Sequence, residues 1–203
     1  MAKFGVSFEE AYRHIRGCDV CSPTPRSELV ILYGLAMRYA KFSEQKPTIY
    51  VGRFMEFGTD EGMSAMIISQ AILNGKSIQS LTTLESNVER YKKARQNFEI
   101  CGYGGTTQAI QGNDLQYTTA MKESIVWGYL DSDHRYRPAK DMMYAIWERL
   151  CHCGLLVCHD YWPGEPGVVK AINEFSQECP DILGSGVRET IFWAMKNVKK
   201  EAT

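Results

Sequence analysis

The residues best suited to chemistry in this chain stand at five places along it. Glu56 closes a short apolar run and is followed by the turn Gly58-Thr59-Asp60-Glu61-Gly62 and then by Met63-Ser64. Glu85 closes a second run, Asn113-Asp114 follow a third, Asp131 ends a fourth ahead of Ser132-Asp133-His134, and His159-Asp160 end a fifth. A glycine after a buried strand can take backbone angles closed to other residues and lets a ligand come close to the main chain. A helix opening just beyond it points unpaired N–H groups and the positive end of its dipole into the same space. Such a turn suits a ligand carrying a carboxylate. It departs from the Gly-x-Gly-x-x-Gly pattern of dinucleotide sites, because Thr59 and Asp60 stand where a pyrophosphate needs bare backbone, and Asp60 and Glu61 oppose a polyphosphate by charge. Glu85 lies 27 residues beyond Gly58. A carboxylate at that distance can accept hydrogen bonds from both ribose hydroxyls, which favours a nucleoside with a free 2′-hydroxyl.

The elements that must position these groups alternate. Strands are expected at about 52–57, 77–84, 107–111, 125–130 and 154–158, with an edge strand over 187–196. Helices are expected over 7–17, 27–42, 62–74, 88–101, 115–123, 138–151 and 167–178. Asn74-Gly75 stops one helix, and Pro138 sits in the first turn of another, where proline is tolerated. This order builds an α/β fold in which a mostly parallel sheet is covered on both faces. In such open sheets the ligand crevice lies outside the carboxyl ends of the strands. Each acidic group alone could simply cap the helix that follows it. Five in succession point to one shared cleft.

Composition limits the function. A chain of 203 residues with 44% hydrophobic and 23% charged residues can bury a core without staples, and its formal charge of −1 gives no bulk attraction to nucleic acid or to an anionic membrane. No apolar run approaches the roughly 18 residues that a membrane span needs. Met1–Glu10 carries no signal-peptide core, so the cytoplasm is the expected location. Seven cysteines, an odd number in a chain of this size, fit a reducing compartment rather than a disulfide framework. Cys18-x-x-Cys21 and Cys151-His-Cys153 lack finger-like spacing, and the cysteines read as packing residues. The expected partner is a small molecule; a homo-oligomer is compatible with the sequence.

The runs Gly52-Arg-Phe-Met-Glu-Phe-Gly-Thr-Asp-Glu-Gly-Met-Ser64, Leu84-Glu85, Gly112-Asn-Asp-Leu115, Tyr129-Leu-Asp-Ser-Asp-His-Arg-Tyr136, Gly154-Leu-Leu-Val-Cys-His-Asp-Tyr161 and Gly167-Val-Val-Lys-Ala-Ile-Asn-Glu-Phe175 together resemble class I S-adenosylmethionine-dependent methyltransferases. The resemblance spans about residues 27–196, and within the class it is nearest to the subgroup containing the macrocin-type sugar O-methyltransferases. It implies a doubly wound, mostly parallel seven-stranded sheet with an antiparallel C-terminal edge strand. It also implies a helical extension over 1–45, on the acceptor side, ahead of a cofactor-binding domain over 46–203.

By the same resemblance, Glu56, Gly58, Thr59, Gly62 and Ser64 line the pocket for the methionine part and ribose of S-adenosylmethionine. Glu85 holds the ribose hydroxyls, and Asn113 or Asp114 faces the adenine. Asp131, which also borders the cofactor, would bind a divalent cation (magnesium or manganese) with His159 and Asp160, and His134 would be the general base. Methyl transfer from a sulfonium is an in-line displacement, so the acceptor oxygen must be aligned with the departing sulfur and must lose its proton. A cation touching that oxygen and a nearby imidazole meet the second need. An imidazole at position 159 suits manganese, iron or zinc better than magnesium, so His159 is either a ligand or a residue lining the cleft beside the ligands. Segment 1–50 and the loop Tyr161–Gly167, with Tyr136, Tyr161 and Trp162 as flat walls, are expected to shape the acceptor pocket. The competing readings are a non-catalytic cofactor-binding protein of this fold, an iron-dependent hydroxylase using His134, His159 and an aspartate, and a nicotinamide oxidoreductase.

Overall fold

The computed structural model describes residues 2–197. The chain runs α1 (Phe8–Gly17), α2 (Arg26–Gln45), β1 (Arg53–Phe57), α3 (Met63–Asn74), β2 (Leu81–Glu85), α4 (Val88–Cys101), β3 (Thr107–Gln111), α5 (Asp114–Ala120), β4 (Ile125–Leu130), α6 (Tyr136–Arg149), β5 (Leu150–Cys158), α7 (Pro166–Glu178), β6 (Ile182–Arg188) and β7 (Ile191–Lys196). The strands form one sheet in the order β3-β2-β1-β4-β5-β7-β6. The pairs among β1 to β5 are parallel, while β7 pairs antiparallel with both β5 and β6.

Two apolar layers explain why the strands read as near-continuous hydrophobic runs. Phe54, Leu81, Trp127, Tyr129, Leu155 and Val157 pack on one face with α1, α2, α3 and α4. Their alternating neighbours Met55, Phe57, Leu84, Leu130 and Leu156 pack on the other face with α6 and α7. The N-terminal helices share the first of these cores: Ile15, Leu29 and Leu32 are buried there, each worth about 1.5–3 kcal/mol of transfer free energy.

Strand order reverses between β1 and β4, the topological switch point where a crevice opens. The loops leaving these strands are locked together, because Asp131 N–H donates to Phe57 O at 2.8 Å. Gly58, at φ +99°, passes so close that a Cβ would stand 2.0 Å from the Asp131 carbonyl oxygen.

Some element boundaries differ from expectation. The strand expected over 77–84 begins only at Leu81, because Ser77 turns the chain, its hydroxyl accepting from Gln79 N–H. The edge strand expected over 187–196 is in fact a hairpin, turning at Glu189 (φ +55°) and Thr190. Its first arm contains Gly184 and Gly186 and so carries no strand signal, yet Gly186 is needed to clear the Trp193 ring. The helix expected over 138–151 ends at Arg149, and its last residues belong to a β5 that starts at Leu150. The helix expected over 115–123 stops at Ala120.

Candidate active site

Glu56 is wholly buried at the end of β1. Its Oε2 accepts from Thr83 Oγ1 at 2.5 Å, Thr83 Oγ1 lies 2.5 Å from Thr59 Oγ1, and Glu56 Oε1 has no hydrogen-bond partner among the described residues. Burial lifts its pKa to about 8, against the hydroxyls of Thr83 and Ser64, which act the other way. The carboxyl is therefore largely neutral at pH 7 until a cation or donor meets it.

Glu85 closes β2 with both oxygens engaged: Oε2 accepts from Asp60 N–H at 2.9 Å and Oε1 from Asn87 N–H at 2.8 Å. These two bonds hold the carboxylate rigid and leave lone pairs toward the cleft, since each oxygen can accept more than one donor. Asn113 caps α5, its Oδ1 accepting from Gln116 N–H, while Asp114 Oδ1 is buried with no hydrogen-bond partner among the described residues. Burial raises the Asp114 carboxyl to about 6, with a Ser132 hydrogen bond working against it. Gly62 sits at φ +91° against the Phe98 ring and starts α3.

A second group of charges faces this one. Asp131 Oδ2 accepts from Tyr129 Oη at 3.0 Å. Burial alone would raise its pKa, but the imidazoles of His134 and His159 beside it prevail and hold it below the ordinary value. His134 Nε2 lies 3.7 Å from Asp131 Oδ1 and 3.3 Å from Asp160 Oδ2, and its Nδ1 lies 3.5 Å from Glu165 Oε1. Led by Asp131, these carboxylates raise His134 to about 9, so it must lose a firmly held proton before it can serve as a base. The ligand atoms of Asp131, His134 and Asp160 lie within 4.8 Å of one another. His159 is the more buried imidazole, with Nδ1 at 3.2 Å from Asp131 Oδ1 and 3.1 Å from Asp160 Oδ2, aligned for a hydrogen bond with neither. Its Nε2 lies 2.7 Å from Glu28 Oε2. Burial disfavours its charged form, yet Asp131, Asp160 and Glu28 outweigh burial and raise it to about 11.

A cavity of about 590 Å³ runs past Gly58, Glu85, Asn113, Asp114, Asp131 and His134. A smaller one of about 250 Å³ adjoins it, lined by Thr59, Gly62 and Ser64 and by Cys21–Thr24 of the segment before α2. Gly58, Asp131 and His134 line both, so the ion-pair cluster stands at their junction. Glu56, His159 and Asp160 line neither of these two cavities; Glu56 is wholly buried, and His159 borders a small hollow shared with Asp131 and His134. Tyr161 and the half-exposed Trp162 line a separate apolar hollow along α7, and Tyr136 turns its hydroxyl to Glu174. Asp133 caps its own turn by accepting from Arg135 N–H.

Glu28 and Glu165 were not visible as site residues in the sequence. Glu28 opens an apolar helix, where an acid is already explained by the helix dipole, and its partner His159 is 131 residues away.

Fold and site together define a class I methyltransferase: a crevice at the switch point of a β3-β2-β1-β4-β5-β7-β6 sheet, with an acid near the end of β1 and another closing β2. Residues 55–161 match the methyltransferase domain family, and the chain belongs to that family. Solved structures share the fold at low identity. The O-methyltransferase of Bacillus cereus, in complex with SAH, superposes with a TM-score of 0.67 at 14% identity, over 93% of this chain and 90% of that one. TomG of Streptomyces achromogenes, an O-methyltransferase involved in tomaymycin synthesis and solved with SAM, gives 0.67 at 14%, over 98% and 92%. The SAH-bound methyltransferase PaMTH1 of Podospora anserina gives 0.61 at 16%, over 98% and 99%. A sequence search of the curated proteins found no match. No helix among the described residues is long and apolar enough to cross a membrane.

Proposed function

We propose that this chain transfers the methyl group of S-adenosylmethionine to a hydroxyl of a small molecule, a sugar or a phenol, in the cytoplasm. The observation that carries the reading is the convergence of Glu85, Asp114, Asp131 and His134 beyond the carboxyl ends of successive strands around one crevice, with Asp160 joined to them through His134. In this reading the nucleoside occupies the larger cavity, with Glu85 on the ribose and Asp114 toward the adenine. The methionine part lies over Gly58, Gly62 and Ser64, with Thr59 and Glu56 beneath. The N-terminal helical segment over 1–45 closes the acceptor side, which accords with Cys21–Thr24 lining the smaller cavity.

The donor set suits a divalent cation: Asp131 and Asp160 face each other across two imidazoles, and the buried His159 Nδ1 has no aligned partner. Asp131 and Asp160 would hold the ion together with Nδ1 of His159, and such mixed oxygen and nitrogen donors suit manganese better than magnesium. Such an ion supplies Lewis acidity that lowers the pKa of an acceptor hydroxyl, and it screens the charges that hold the proton on His134.

His134 is the more exposed imidazole and lies at the junction of the cavities. In its neutral form it takes the acceptor's proton as the oxygen–methyl bond forms and the methyl–sulfur bond breaks, leaving a neutral thioether and an imidazolium. Incubation with methyl-tritiated cofactor and a panel of sugars and phenols, with and without manganese, tests this. Label in an ether product supports it; no transfer to any hydroxyl, alongside tight cofactor binding, points to a non-catalytic binding protein.

A further inference from the structure

Glu28 lies in the first turn of α2, outside residues 55–161 matched by the family, and is only 4% exposed. A buried carboxylate is costly unless both oxygens are satisfied. Here they are: Oε1 accepts from Thr190 Oγ1 at 2.6 Å, and Oε2 lies 2.7 Å from His159 Nε2. A carboxylate can only accept, so Nε2 carries the proton and donates it to Glu28. That fixes which edge of the ring faces the cleft. Nδ1 is left pointing between Asp131 Oδ1 and Asp160 Oδ2, at 3.2 and 3.1 Å, and the ring packs edge-on to Tyr129. The same two carboxylates contact His134.

We propose that Glu28 is a positioning residue: by gripping His159 from α2 it sets the ring that spaces the Asp131 and Asp160 carboxylates at the catalytic centre. The catalytic part of this inference rests on the methyl-transfer reading above; the geometric part does not. Glu28 also ties the centre to the N-terminal segment, because Cys21–Thr24, which line the smaller cavity, lead directly into α2 through Pro25.

The test compares wild type with Glu28→Ala, Glu28→Gln, Thr190→Val, His159→Ala and the double variant Glu28→Ala/His159→Ala. Histidine-labelled protein without ligand should show a slowly exchanging, downfield Nε2–H for His159. Glu28→Ala should abolish it and move the Asp131 and Asp160 carboxyl carbon signals. Glu28→Gln, whose amide oxygen still accepts, should retain it. In turnover, Glu28→Ala should lower kcat by about 10- to 100-fold, the scale of a 1 Å misplacement, with cofactor affinity within about twofold of wild type. Glu28→Gln should restore most of the rate, Thr190→Val should give a partial loss, and Glu28→Ala should add nothing to His159→Ala.

An unchanged Nε2–H in Glu28→Ala, or rate losses that multiply in the double variant, would overturn the proposal. So would Glu28→Gln as impaired as Glu28→Ala. If Glu28→Ala does not fold, Glu28→Gln and Thr190→Val decide the matter by the same signals. If the wild type turns over no acceptor, the methyl-transfer reading fails by itself, and the resonance data still judge the grip of Glu28 on His159.

Discussion

Replacing Glu56 with glutamine should make the protein's stability less dependent on pH, by an amount the structure allows to be worked out. Glu56 has no exposure, one oxygen without a partner, and a pKa lifted by burial from 4.5 to about 8. For an acid whose folded-state pKa lies above its unfolded value, stability is fully present below the unfolded value and is lost as pH rises toward the folded one, because unfolding releases a proton throughout that interval. At about 1.4 kcal/mol per pH unit, the loss between pH 5 and pH 8 is about 4 kcal/mol, a large part of the usual ~5–15 kcal/mol of a domain. Glutamine cannot ionise. It keeps an oxygen to accept from Thr83, and any penalty for its unpaired amide is the same at every pH. Urea denaturation of both proteins without ligand, at intervals from pH 5 to 8.5, isolates the effect, since every other titrating group is shared. The variant's stability relative to wild type should climb by about 4 kcal/mol over that range, whatever its starting offset. A difference that stays within about 1 kcal/mol would show that folded Glu56 is not held in its protonated form, and the neutral, ligand-awaiting acid described here would be wrong.

Other substitutions probe the crevice. Glu85→Gln should weaken binding of the demethylated cofactor by about 10- to 100-fold, the value of charge-assisted hydrogen bonds worth about 1.5–3 kcal/mol, as read by calorimetry. Gly58→Ala should lower the melting temperature and the cofactor affinity together, because a left-handed alanine costs about 1–2 kcal/mol and its Cβ would strike the Asp131 carbonyl at 2.0 Å. His134→Ala should cut turnover by about 10²- to 10⁴-fold, the range for loss of a general base, while cofactor affinity stays as it was. Equal losses of affinity and rate in that variant would reassign His134 to cofactor binding.

Much of the fold was legible because β1, β2 and β4 are buried on both faces, so their apolar runs stand out between turns such as Asn74-Gly75 and Gly102. The acids that follow them were legible for the same reason, since a charge directly after a buried strand must find a purpose. Local periodicity does not reveal β6, where Gly186 is needed to clear Trp193 of a neighbouring strand. Nor does it reveal Glu28 or Thr190, which reach the site through pairings 131 and 162 residues apart along the chain. His134 illustrates the limit on chemistry: its position and its neighbours Asp131 and Asp160 were readable, but Glu165, the third carboxylate that helps raise it to about 9, comes from the loop after β5 and was not.

Calorimetric titration of wild type and Glu85→Ala with S-adenosylmethionine and with its demethylated product tests most directly whether the strand-end groups form one nucleoside site. Saturable one-to-one binding of both compounds by wild type, severely weakened in the variant, is the expected result. No heat from either compound at millimolar concentration, or equal affinity in the two proteins, would contradict it.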